Sequence, residues 1–411
     1  MEESTAEPRP QVLIAGGGIA GLEALLALRD LAKDRIALTL IAPDPDFVYK
    51  PLTVEEPFSF QPAEQRALEP LASELGARFV QSGLERVVPQ DHLVELSDGS
   101  RLQYDTLVVC VGGRPRAAYE HALTFGRDAL SVDTLIKEAA QASPPRIAFV
   151  VPPGDSWPLP LYELALMTRR RAQSLGVDVE CVVVTPESAP LIMFGTRASE
   201  AVAELLRARA IEVRARTYAT EAEDGGLVLT PAHERLDAAR VLALPRLEGR
   251  RIGGLPSDEG GFIPIDEHAR VRGVLDVYAA GDGTNFPIKQ GGLGTQQADA
   301  AAEHIAASAG AGIDPKPFHP VLRGQLITGG ESLHLRHDVG GGAGEGMVSD
   351  DYLWWPPHKV GGRYLSAWLV HEKAGQDVKP PRVPLDVEVS LPKEWHEEPM
   401  ALDPYGPLVA E

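Results

Sequence analysis

The sequence predicts an α/β protein built on parallel sheets, and two observations predict it. A short apolar strand, Val12 to Ala15, runs straight into a glycine-rich turn and then a helical pattern. A second strand–helix–strand series occupies residues 146–209. Helices alternating with buried strands bury a parallel sheet on both faces. The chain of 411 residues exceeds what one hydrophobic core sustains, so two or three domains are expected.

The turn Gly16-Gly17-Gly18-Ile19-Ala20-Gly21 satisfies GxGxxG, and Leu22 to Leu31 carries apolar residues at helical spacing. Gly16 permits the tight turn, Gly18 lets backbone approach a pyrophosphate, and Gly21 lets the helix pack close to the strand. Ile19 and Ala20 complete the turn, where the positive end of the helix dipole faces the phosphates. The strand Ile36 to Ala42 follows, which makes this a Rossmann-like unit. The acidic residue that should end that strand and hold ribose hydroxyls is replaced by Ala42-Pro43; Asp44, with Asp46 behind it, is the expected substitute.

Two later stretches join this motif. "DGSRLQYDTLVVCVGGRPR" (98–116) leads a hairpin into a buried strand and the turn Gly112-Gly113. "GGFIPIDEHARVRGVLDVYAAGDGTNF" (260–286) ends in a strand, Val277 to Ala280, followed by Gly281-Asp282. In this order the three stretches resemble the signatures of the FAD-dependent pyridine nucleotide–disulfide oxidoreductase superfamily over nearly all of residues 10–310. The resemblance implies non-covalent FAD, with Asp282 accepting a ribityl hydroxyl. The alternative for Asp282 is an N-cap for the helix expected over 294–306. The resemblance also implies a first domain split into residues 1–117 and 250–318, with a second dinucleotide-binding-like domain, 118–249, inserted. Residues 319–411 form a C-terminal domain with an acidic, Pro-rich tail.

Inside the insert, strands are expected at 146–152 and 177–186, helices near 161–175 and 198–209, and hairpin strands over 211–230. The turn after its first strand reads "VVPPGDSWPLPLYELA" (150–165). Pro152 and Pro153 stand where the superfamily places glycines, and proline has no N–H to offer a phosphate. An NAD(P)H site is therefore doubtful. No CxxxxC follows the second strand; "FVYKPL" (47–52) stands there, so dithiol chemistry is excluded, and Tyr49-Lys50-Pro51 is expected over the flavin ring.

Within the superfamily these features resemble sulfide:quinone reductases, with type II NADH dehydrogenases as cousins. "KQGGLGTQQADAAAEHI" (289–305) looks like the Lys-x-Gly helix start beside the flavin, implying roles for Lys289, Gln290 and Gly291. A cation at Lys289 would stabilise reduced flavin; its alternative is a solvated surface lysine. Glu163 in "YELA" resembles a glutamate near the ring in type II NADH dehydrogenases and could relay a proton. Its alternative is an ordinary carboxylate of a first helical turn. Gln296-Gln297 match the quinone motif of those cousins only in part.

The two cysteines, Cys110 and Cys181, fall within apolar strand-like runs and are expected to be buried, reduced and outside any cleft. The cysteine-dependent sulfide mechanism does not carry over. His334 and His337 are too few for a metal site, and no metal is expected. Trp354, Trp355 and Trp368 either wall an apolar quinone slot or pack the C-terminal core.

A net charge of −20 argues against nucleic acid and anionic membranes as partners. Peripheral membrane contact is left open but not indicated. The acidic start "MEESTAEPRPQ" does not read as a signal peptide, and apolar runs fall short of the roughly 20 residues of a membrane span, so a cytoplasmic location is expected. The expected activity is FAD-dependent transfer of two electrons from a small-molecule donor to a quinone or other diffusible acceptor. The alternatives are an NAD(P)H-dependent flavoprotein reductase with an atypical loop, and a catalytically silent flavin-binding partner or sensor.

Overall fold

A computed structural model describes residues 9–58, 63–222, 226–339 and 344–372. Most of the acidic N-terminal stretch, much of the Gly340 to Gly346 loop and the Pro-rich tail from Lys379 lie outside the described residues.

The first unit opens with β1 (Gln11–Ala15), α1 (Ile19–Ala32) and β2 (Ala37–Ala42), followed by β3 (Ala77–Gln81) and β4 (Thr106–Val109). The second runs β5 (Leu123–Thr124), α2 (Val132–Ala140), β6 (Arg146–Val150), α3 (Leu159–Ser174), β7 (Glu180–Val184), α4 (Thr196–Ala208), β8 (Ile211–Arg214) and β9 (Arg240–Ala243). Its sheet is parallel throughout, in the order β5-β9-β6-β7-β8. The chain then returns as β10 (Val277–Ala279), which pairs parallel with β4, completing a first sheet ordered β10-β4-β1-β2-β3. The central strands of both sheets, such as β1, β2, β6 and β7, are mostly Val, Ile, Leu and Ala and buried on both faces, as a parallel sheet covered by helices requires. A short antiparallel pair, Arg114–Arg116 with Arg246–Glu248, carries the chain out of and back to the first unit.

After β10 come α5 (Gly291–Ser308), the antiparallel strands β11 (Val321–Leu326), β12 (Leu333–Asp338) and β13 (Met347–Ser349), and α6 (Leu365–Glu372). The fold is thus α/β with two Rossmann-like cores and a C-terminal part of different character.

One expectation is corrected. Residues 211–230 do not form one hairpin: β8 joins the parallel sheet beside β7, and only Tyr218–Glu221 and Leu227–Thr230 pair antiparallel. As an edge strand, β8 has one sheltered and one open side, so its polarity alternates like a hairpin's.

Candidate functional site

The glycine turn is shaped by contact. Gly16 has φ +130°, and a Cβ there would stand 2.1 Å from the Cys110 carbonyl oxygen. A Cβ on Gly21 would stand 1.8 Å from the Gly16 carbonyl oxygen, so only glycine lets α1 start against the turn. A Cβ on Gly18 would meet nothing within 4 Å. That emptiness faces a cleft of about 1020 Å³. α1 begins there with Gly18 as N-cap, no capping side chain and no acidic residue in its first turn, which favours an anion.

The cleft gathers residues from every unit. Its lining includes Gly16, Gly18, Ile19, Ala20, Asp44 and Asp46 around the α1 start, and also Gly112, Gly113, Gly281, Asp282, Lys50, Pro51, Lys289, Gln290 and Gly291. Trp157, Glu163, Arg323, Gln325 and Lys359 line the same space. Of the residues expected to hold FAD or carry its chemistry, all but Gly21 beneath the turn and Tyr49, which is fully buried behind Lys50 and Pro51, therefore border one space. Asp44 is exposed just beyond β2.

Gly281 adopts φ +85°, and its N–H donates to Gln297 Oε1 at 2.8 Å. Gln296 is likewise committed, donating to Val321 O at 2.9 Å. Both glutamines thus brace backbone rather than reach into the cleft. Asp282 is not a helix cap, because α5 starts at Gly291 and Gln290 caps it, accepting from Leu293 N at 2.9 Å. The other end of the Gln290 amide donates to Arg323 O at 2.9 Å. Burial raises the Asp282 carboxyl above its ordinary range, opposed by the charges of Lys289 and Lys50.

Lys289 is no surface lysine. It is 3% exposed, its Nζ donates to Thr284 O at 2.6 Å, and Asp155 Oδ2 stands 3.9 Å away. Burial pulls its pKa down to about 8, with Asp155 and Asp282 pulling back. Glu163 is no ordinary first-turn carboxylate either. It is fully buried, accepts from Ile327 N at 2.8 Å, and is gripped by Lys359 Nζ at 2.8 and 2.9 Å. Burial raises the Glu163 carboxyl, and the Lys359 ammonium opposes that rise. Lys359 had no signal in the sequence: its partner is 196 positions away.

Of the two alternatives for the tryptophans, the quinone slot is not found: Trp354 packs against His334 and donates to His358 O at 2.8 Å, and neither Trp355 nor Trp368 lines the space. One further expectation needs correction. Cys110 does border the cleft, one residue beyond β4, although burial pushes its thiol up to about 12. Strand-like composition extended past the point where the strand ends. Cys181 lies on β7, with its thiol pushed up to about 12 by burial. Among the described residues, no group of three or more His, Cys, Asp and Glu side chains could hold a metal, and no helix is long and apolar enough to cross a membrane.

The loop after β6 reaches the same cleft with Ser156 and Trp157. Ser156 Oγ donates to Pro245 O at 3.2 Å, and Trp157 meets Phe194 edge-on at 5.7 Å. α3 begins with Pro158 as N-cap and prolines on both sides of Leu159. Just beyond β7, Glu187 is fully buried and accepts from Tyr162 Oη at 2.6 Å and Thr185 Oγ1 at 2.9 Å.

Comparison with known proteins agrees with this arrangement. Residues 162–304 match the family model described as pyridine nucleotide-disulphide oxidoreductase. The chain is 25% identical over 191 residues to the sulfide-quinone reductase of Aquifex aeolicus, covering 44% of each chain, so it spans less than half of that relative. It is 25% identical over 368 residues to the alternative NAD(P)H-ubiquinone oxidoreductase C1 of Arabidopsis thaliana, covering 76% of this chain and 69% of that one. The solved sulfide:quinone oxidoreductase of Aquifex aeolicus shares the fold with a TM-score of 0.74 at 19% identity, over 83% of this chain and 86% of that one.

Proposed function

We propose that this chain, whose residues 162–304 match the pyridine nucleotide-disulphide oxidoreductase family model, is an FAD-dependent oxidoreductase taking two electrons from a small-molecule donor and delivering them to a quinone or another diffusible acceptor. The observation that carries this reading is the single cleft joining the bare α1 terminus to the buried Lys289 and Glu163. FAD fits its residues. Gly18 leaves space for a pyrophosphate, the α1 dipole favours its charge, and Asp282 lines the same cleft as a carboxylate that would accept from a hydroxyl chain. Bound there, FAD supplies the two-electron chemistry. Lys289 contributes positive charge to the cleft lining, which would stabilise negative charge on a reduced ring bound there. Glu163, held by Lys359, offers a carboxylate that can take up or release a proton. Lys50 and Pro51, from the segment that in sequence replaces a redox dithiol, line the same cleft.

Anaerobic mixing of the flavin-loaded protein with a panel of donors tests the reading. Bleaching of the flavin by at least one donor, and recovery on adding a short-chain quinone, is the expected result. A flavin that no donor and no dithionite reduces would leave a silent binding protein instead.

A further inference from the structure

Residues 354–366 cross from the third sheet to α6 and are tied down along their length. Trp354 Nε1 donates to His358 O, Gly362 N donates to Ser366 Oγ at 2.9 Å, and Ser366 Oγ donates to Val360 O. The Glu23 carboxylate on α1 accepts from Tyr364 N at 2.8 Å and Leu365 N at 2.7 Å. At the centre stands Tyr49, fully buried, in the segment that replaces a dithiol. Its hydroxyl accepts from Val360 N at 2.8 Å and lies 2.6 Å from His358 Nδ1. Its ring meets the His358 ring edge-on at 4.5 Å. Burial keeps the phenol protonated far beyond its ordinary range, so the hydroxyl has one proton for His358 and a lone pair for Val360.

One hydroxyl thus grips both neighbours of Lys359. Lys359 itself reaches the opposite partner, the fully buried Glu163, with both carboxylate oxygens within 2.9 Å of its ammonium. A lysine side chain has four freely turning bonds, and holding its head at one place costs rotamer entropy unless its backbone is fixed. We propose that Tyr49 is a positioning residue that holds the Val360 backbone and the His358 imidazole on either side of Lys359 and thereby holds its ammonium against Glu163 in the cleft wall. This rests on the reading that the cleft holds a flavin which Glu163 serves. The charged and titratable groups bearing on the pair are few. Lys359 faces Glu163 from the C-terminal segment and Glu55 from residues 50–58, while Glu64 and His358 bear on Tyr49. Loosening Lys359 leaves the burial of Glu163 less opposed, so its carboxyl takes up a proton at higher pH.

Tyr49→Phe keeps the ring and removes the hydroxyl. Hydrogen exchange followed by mass spectrometry should show peptides spanning 354–366 exchanging about tenfold faster, with β6 and β7 unchanged. His358→Ala, which releases one side only, should move the same peptides less. Unchanged exchange in both variants overturns the proposal, whatever the flavin content. In the flavin-loaded protein, the pH midpoint of the flavin spectrum should rise by about half a unit or more in Tyr49→Phe. That rise should vanish when Glu163→Gln is added. A rise that persists there would mean Tyr49 acts on the flavin directly and would overturn the proposal. A protein that takes up no flavin would sink the proposed function and leave positioning to the exchange result.

Discussion

The ammonium of Lys289 stands 3.5 Å from the centre of the Phe262 ring, on the face where the π-electrons lie. Together with the Thr284 carbonyl at 2.6 Å, this lets a charge survive with 3% of its residue exposed. Phe262 and Thr284 belong to the stretch 262–289, which also lines the cleft with Gly281, Asp282 and Lys289 itself.

With its pKa near 8, Lys289 is charged at neutral pH and loses its charge above it. Lys289→Met should therefore lower the flavin midpoint potential at pH 7 by about 30 mV or more, some 1.4 kcal/mol for two electrons. The gap from the wild type should close as pH rises past 8. Dye-equilibrated potentials from pH 6.5 to 9.5, each an approximate setting within the range of ordinary buffers, check this; equal potentials at pH 7 would remove Lys289 from the mechanism. In the flavin-free protein the sign is reversed. An unfolded lysine titrates near 10.4, so between about 8 and 10.4 the unfolded chain binds the extra proton and stability rises with pH. Lys289→Met should flatten that rise in denaturant titrations.

The glycine turn gives a prediction that separates binding from folding. Gly18→Val points a side chain into open cleft, so the protein should fold normally yet bind FAD at least about a hundredfold more weakly, a loss of about 2.7 kcal/mol. Gly21→Val drives a side chain into the Gly16 carbonyl and should fail to give folded protein. Flavin extracted from the wild type should be FAD, about one per chain. FMN in its place, or a Gly18→Val protein that keeps its flavin, would count against the cleft as the binding site.

The parts legible in the sequence are those whose determinants lie close along the chain. β1, the glycine turn and α1 needed only local spacing, and the prolines after β6 spoke for themselves. The pairing of Glu163 with Lys359 was not legible, because nothing near either residue reports where the other will be. Aromatic richness marked residues 352–357 without fixing direction, and Trp354 turned to His334 and its own segment. Lys289 could have been either a surface or a buried lysine. Its burial depends on Phe262 and Thr284 closing over it, a tertiary fact.

Cys110 borders the cleft, yet burial holds its thiol near 12, so almost no thiolate exists at neutral pH. Cys110→Ser and Cys181→Ser should keep flavin reduction by a working donor within a few-fold. A loss beyond about a hundredfold, about 2.7 kcal/mol of barrier, with FAD still bound would assign a thiol to the chemistry.

The second unit decides whether a pyridine nucleotide is the donor. Pro158 and Pro160 bring no N–H to the start of α3, and the Leu161 N–H is spent on Pro158 O at 2.9 Å. Just past β7, where such a fold uses a carboxylate for ribose hydroxyls, Glu187 is turned inward under Tyr162. Burial raises that carboxyl to about 7, so around neutral pH it is partly protonated as well as enclosed. Phosphate and ribose would both lack their usual partners. NADH and NADPH should therefore reduce the flavin more slowly than about 1 s⁻¹, the low end of ordinary turnover. Flavin reduced by dithionite or light should be reoxidised readily by a short-chain quinone. Stopped-flow mixing with millimolar NAD(P)H reads the first rate directly. Faster reduction would mean that the loop after β6 holds the nucleotide through Trp157 and side chains rather than backbone N–H groups, and the protein would be an NAD(P)H:acceptor reductase.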